Sequence, residues 1–99
     1  MIKLRAAVAQ MRAAHPEIEE VWLFGSLARD QAVPGSDADL LLILTDASED
    51  FLNRIPRYLP QGLPFDVDVF PYTRAEIEMA LEEGNPFIRQ ALAEGVLLS

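Results

Sequence analysis

The chain has 99 residues, of which 51% are hydrophobic and 24% charged. That is enough apolar material for one packed core, too little polarity for disorder, and too short a length for two cores. Sixteen acidic against eight basic residues give a formal charge of -8, which removes the cationic surplus needed for counterion release and makes DNA or RNA a poor default partner. With no cysteine and His15 as the sole histidine, disulfides and thiolate metal sites are excluded, a structural zinc site is hard to build, and hard cations held by carboxylates remain.

The opening MIKLRAAVAQMRAA sets Ile2, Leu4, Ala7, Val8 and Met11 against Lys3, Arg5 and Arg12. This pattern predicts a helix to about Ala14 that stops ahead of Pro16, and it is too weakly apolar for a signal segment. No run approaches the roughly 20 apolar residues of a membrane span, so a cytoplasmic protein without a membrane partner is expected. Glu19 to Phe24 reads as a strand, GSLARDQA as a tight turn into a short helix, VPGSD as a turn and ADLLLIL as a second strand. So continuous an apolar run belongs to a strand covered on both faces, which predicts an α/β (α+β) architecture with helices flanking the sheet.

Ser48 to Leu59 has a helical pattern that Pro56 must kink or end, and FDVDVF, from Phe65 to Phe70, reads as a third strand. Thr73 suits the cap of a helix running to about Glu83, closed by Gly84. Asn85 as N-cap, Pro86 as first helical residue and Gly95 as stop define a last helix, with Val96 to Leu98 as a short final strand. The sum is one layered domain over residues 1–99, a small sheet with helices on its faces.

Chemistry-bearing residues cluster at the strand ends. Gly25 and Ser26 follow VWLF and precede the short helix, an arrangement in which backbone N–H groups at a helix start favour an anion. Glycine permits close backbone approach and the serine hydroxyl can donate to a phosphate oxygen. Asp37 and Asp39, two apart at a strand entrance, project the same way, and two neighbouring carboxylates invite a magnesium ion to relieve their repulsion. Asp66 and Asp68 repeat the pattern on FDVDVF, and only one of them need join the first pair to make a two-metal carboxylate set.

GSLARDQAVPGSDADLLL followed by FDVDVFPYT resembles the minimal nucleotidyltransferases of the DNA polymerase β superfamily, and the closing NPFIRQALAEGVLLS is similar to the ends of such proteins. The resemblance implies a mixed sheet flanked by helices, with Gly25 and Ser26 on the nucleotide triphosphate and Asp37, Asp39 and Asp68 as catalytic metal ligands. Asp68 is preferred to Asp66 because the family's third acid is followed directly by two apolar strand residues, here Val69 and Phe70. It also implies two Mg2+ ions, ATP as substrate, and transfer of AMP to an acceptor hydroxyl. Proteins of this kind are often encoded beside HEPN-domain proteins and act as antitoxins, so a HEPN-domain partner that receives the AMP is the leading expectation. The rivals are a non-catalytic nucleotide-binding or partner-binding module and an enzyme that modifies a small molecule such as an aminoglycoside.

Other conspicuous residues have plainer readings. Arg29 suits an ion pair with a nearby carboxylate, His15 the end of the first helix, Trp22 and Phe24 the core, and Glu76, Glu78, Glu82 and Glu83 the wet side of a helix. Tyr58 and Tyr72 could stack on a base. No Walker-type GxxxxGK is present, which argues against a P-loop NTPase.

Overall fold

The computed structural model describes residues 2–24, 38–59 and 67–98. In chain order these form α1 (Ile2–Ala14), β1 (Ile18–Phe24), β2 (Ala38–Leu44), α2 (Phe51–Tyr58), β3 (Val67–Thr73), α3 (Arg74–Glu82), α4 (Pro86–Glu94) and β4 (Val96–Leu97). The short helix expected after Gly25, the VPGSD turn and the first two residues of FDVDVF lie outside the described residues. The strands make one four-stranded mixed sheet in the order β3-β2-β1-β4, with β1 antiparallel to β2 and β4, and β2 parallel to β3.

Strand alternation divides β2 between two cores. Ala38, Leu40, Leu42 and Leu44 pack with Leu4, Val8 and Met11 of α1, Val21 and Leu23 of β1, Val69 of β3 and Tyr58 of α2. Leu41 and Ile43 face the other way, against Ile77 of α3 and Ile88 and Ala91 of α4. Every residue of β2 except Asp39 is buried, and each fully buried leucine or isoleucine contributes about 1.5–3 kcal/mol. The two-sided cover expected from ADLLLIL is what the molecule has, in a mixed α+β fold. Among the described residues no helix is long and apolar enough to cross a membrane.

β3 runs three residues beyond the expected end at Phe70, through Pro71 to Thr73. A proline is tolerated on an edge strand when its missing N–H would have faced outward, and β3 is such an edge. The outward side is identified by its partners: the Pro71 carbonyl accepts from Arg54 of α2 at 3.1 Å, and the Thr73 N–H donates to Glu76 at 2.8 Å. Pro56, likewise, sits inside α2 without ending it before Tyr58. Here Asp50 is the N-cap, accepting from the Asn53 N–H, so the helix starts three residues later than the expected Ser48.

The helical ends follow their capping residues. Thr73 and Glu76 form a capping box at the start of α3. At its other end Gly84 adopts φ 73°, and the Gly84 and Asn85 N–H groups reach back to the Leu81 and Ala80 carbonyls, a Schellman turn. Asn85 then caps α4, with Pro86 in its first turn. At Gly95 a Cβ would run into the Ala91 carbonyl oxygen, so glycine is required where α4 gives way to β4.

One polar hub ties α2, β3 and α3 together. The Arg54 side chain is 6% exposed and its partner Glu76 43%. Arg54 donates to both Glu76 carboxylate oxygens, at 2.6 and 3.2 Å, and to the carbonyls of Glu49 and Pro71. The hydrogen bonds from Arg54, reinforced by the Thr73 N–H and opposed by partial burial, hold the Glu76 carboxyl below its ordinary value of 4.5. Glu76 was expected on the wet side of its helix with Glu78, Glu82 and Glu83; those three are exposed, whereas Glu76 turns inward to Arg54.

Two outcomes follow. Arg54→Met should cost about 2–3 kcal/mol in chemical denaturation at neutral pH, because it strands two carbonyls and a half-buried carboxylate; a loss below 0.5 kcal/mol would sink the hub. Because the folded-state value of Glu76 is depressed, its contribution is full above the unfolded value of 4.5 and is lost as pH falls through the lower folded value. The stability gap between the native chain and Glu76→Gln should therefore shrink on acidification from pH 7 through that window, read by denaturant titration at each pH.

Candidate active site

At one end of the sheet β1 finishes while β2 and β3 begin. The register there aligns Phe24 of β1 with Asp39 of β2, and Asp39 with Asp68 of β3. Alternation places all three side chains on the α3/α4 face, the same face as Leu41 and Ile43. Neighbouring strands are about 4.8 Å apart, so the two carboxylates share one small patch, Asp39 half-buried and Asp68 exposed. Like charges at this spacing repel, and a hard divalent cation with oxygen ligands would relieve them.

Of the site residues expected from the sequence, the structure brings Asp39 and Asp68 together. Gly25, Ser26, Asp37 and the alternative acid Asp66 lie outside the described residues, as does Arg29. Gly25 follows Phe24 in the chain, and Phe24 is the register partner of Asp39. Among the described residues no group of three or more histidine, aspartate or glutamate side chains is arranged to hold a metal. The donor pair itself, two carboxylates in register on rigid strands, fits magnesium.

Beside the carboxylates lies an aromatic group that sequence reasoning assigned only in part, and to the core. Phe24, Phe70 of β3 and Phe87 of α4 form a triangle, with ring centroids 5.6 Å apart for Phe24–Phe70, 5.5 Å for Phe24–Phe87 and 5.1 Å for Phe70–Phe87. All three rings are half-buried. Phe70 shares its face with Asp68 by the period of two, a signal legible in FDVDVF; that Phe87 joins it from another element is a matter of tertiary packing.

His15, Tyr58 and Glu17 occupy the far end, about 17 Å along β2 from Asp39 at 3.3 Å per residue. The Tyr58 hydroxyl donates to Glu17 at 2.6 Å, the His15 ring meets Tyr58 edge-on at 4.9 Å, and His15 Nδ1 lies 3.7 Å from Glu17. Burial and the hydrogen bond to Glu17 push the Tyr58 hydroxyl up to about 12, so it stays protonated. Tyr72 packs against Phe51 of α2. Neither tyrosine sits in the carboxylate row. Arg74 closes the same far end by bridging the start of α3 to β1, with ion pairs to Glu20 at 3.0 Å and Glu19 at 3.5 Å.

The sequence pattern of the nucleotidyltransferase domain matches residues 1–98. No curated protein matches the chain. Among solved structures, a Sulfolobus solfataricus protein provisionally assigned as a nucleotidyltransferase is 26% identical, with a TM-score of 0.58 over 77% of this chain and 68% of that one. The matched pattern spans both strands of the carboxylate row and all the helices around them, and on that ground the chain belongs to the nucleotidyltransferase domain family, whose members act on nucleoside triphosphates with divalent metals.

Proposed function

We propose that the chain transfers AMP from ATP to a hydroxyl on a partner protein, a HEPN-type toxin, and acts as its antitoxin. The observation that carries the chemistry is the register of Asp39 with Asp68 on one face of a parallel strand pair. Asp37, two residues before Asp39, completes the ligand set, and Gly25 and Ser26, next in the chain after Phe24, hold the triphosphate through backbone N–H groups and the serine hydroxyl. Asp37, Asp39 and Asp68 would hold two magnesium ions, which when bound would acidify the attacking hydroxyl and neutralise the leaving phosphate.

The reaction is an in-line displacement. The acceptor oxygen forms a bond to the α-phosphorus, the bond from that phosphorus to the bridging oxygen breaks, pyrophosphate leaves, and the hydroxyl proton passes to solvent. The chain's own contribution is positional. Asp39, on the inner strand β2, is held by the buried remainder of that strand, while Asp68 is exposed on the edge strand. The formal charge of -8 supports a basic protein, rather than a nucleic acid, as acceptor.

With ATP labelled at the α-phosphate and magnesium, the native chain should label a co-expressed HEPN-domain partner. Asp37→Ala, Asp39→Ala and Asp68→Ala should each lower labelling by about a hundredfold or more, with unchanged circular dichroism, while Asp66→Ala should leave it intact. Labelling that survives Asp39→Ala would sink the ligand assignment. Suppression of toxicity without any label would replace transfer by neutralisation through contact.

A further inference from the structure

We propose that Phe87, with Phe24 and Phe70, is the wall on which the nucleobase of the substrate stacks; the inference rests on the nucleotide reading above and assigns the part of the site that recognises the base. The wall and the carboxylates belong to one surface. Phe24 is the register partner of Asp39, Phe70 lies two residues beyond Asp68 on the same face, and Phe87 touches both rings. Below them Leu41 and Ile43 are at most 1% exposed, whereas the three phenyl rings are half-buried. A ligand held by the carboxylate row therefore has incompletely covered aromatic surface beside it.

The ring geometry favours a flat occupant. The interplanar angles are 51° for Phe24–Phe70, 79° for Phe24–Phe87 and 56° for Phe70–Phe87. No pair is parallel: Phe24 and Phe87 meet edge to face and the other two pairs are tilted, so none stacks face to face on another. Phe87 is also held in place before any ligand arrives: it is the second residue of α4, behind the Asn85 cap and Pro86, and the Schellman turn at Gly84 sets the entry of that helix. An ordered aromatic residue loses little entropy on binding a base.

Phenyl rings read no base edge. They supply contact with the π-face common to all bases, and a purine offers more of it than a pyrimidine. Adenine and guanine nucleotides should be held alike and pyrimidine nucleotides more weakly. The competing occupant is an aromatic group of the acceptor, because Phe70 stands on the Asp68 side of the row.

Calorimetric titration of the full chain with magnesium-ATP and with magnesium-tripolyphosphate separates these. Stacking is worth about 1–3 kcal/mol per base, and about 1.4 kcal/mol is tenfold in affinity. Phe87→Leu, which keeps the apolar volume and removes the ring, should weaken ATP about fivefold or more, and Phe87→Trp should tighten it. Tripolyphosphate affinity should be unchanged in both variants. ATP affinity unchanged in Phe87→Leu, or ATP and tripolyphosphate weakened by the same factor, would overturn the wall. Should Phe87→Leu not fold, Phe87→Trp decides, tighter ATP binding with unchanged tripolyphosphate supporting the proposal and unaltered ATP binding defeating it. A native chain that binds ATP no better than tripolyphosphate loses the wall and keeps the triphosphate site; one that binds neither loses both.

Discussion

The arrangement of β2 between two hydrophobic layers is the constraint on which the rest depends. Six of its seven residues are buried, and Asp39 alone is not. Because side chains alternate, a slip of one position against β1 or β3 would drive the Leu40, Leu42 and Leu44 set to the wrong face and carry Asp39 into the layer of α1. Both layers are apolar, so the leucines would stay buried, and the cost of slippage lies in mismatched packing of the two layers and in desolvating the Asp39 carboxylate. Register is thus set by how the two layers pack around β2, and it places Asp39 beside Asp68.

Polar contacts complete what packing begins. Arg54 satisfies the outer edge of β3 at Pro71 and joins the capping box of α3 through Glu76. An arginine this buried is tolerated because its fork meets carboxylate and carbonyls together. The hub stands at the end of β3 opposite Asp68, so its hydrogen bonding stabilises the scaffold at a distance from the acid pair. The same division explains why the histidine and the buried tyrosine hydroxyl are absent from the row: His15, Glu17 and Tyr58 bind one another beyond the start of β1.

Features set by local chemistry were legible in the sequence. ADLLLIL announced a doubly covered strand, and Asn85, Pro86 and Gly95 bounded α4 as their backbone preferences require. The β3 terminus was not legible, because whether a proline ends a strand depends on which way its missing N–H points, and that is known only once the strand's neighbours are known. The inward turn of Glu76 was hidden for a related reason: its partner Arg54 is 22 residues earlier in the chain. For the site, the period of two put Asp66 and Asp68 on one face, but the choice of Asp68 leaned on resemblance. Its alignment opposite Asp39 is a fact of parallel register that spacing alone does not carry.

The distribution of rigidity across the site bears on how an acceptor is chosen. Asp39 and Asp68 stand on paired strands, and Phe87 on a capped helix, so on the proposed reading the surfaces that meet the nucleotide exist before it binds. Preorganisation of that kind lowers the cost of placing a nucleotide but selects no acceptor, since a sheet edge bearing one exposed carboxylate has little surface with which to discriminate. Selectivity must then come from docking of the acceptor's own body, guided by complementary charge; the surplus of acidic residues favours basic surfaces and raises their encounter rate most at low salt. A small domain that holds its nucleotide rigidly and leaves recognition to the partner's surface can accept a macromolecule too large for any pocket of its own.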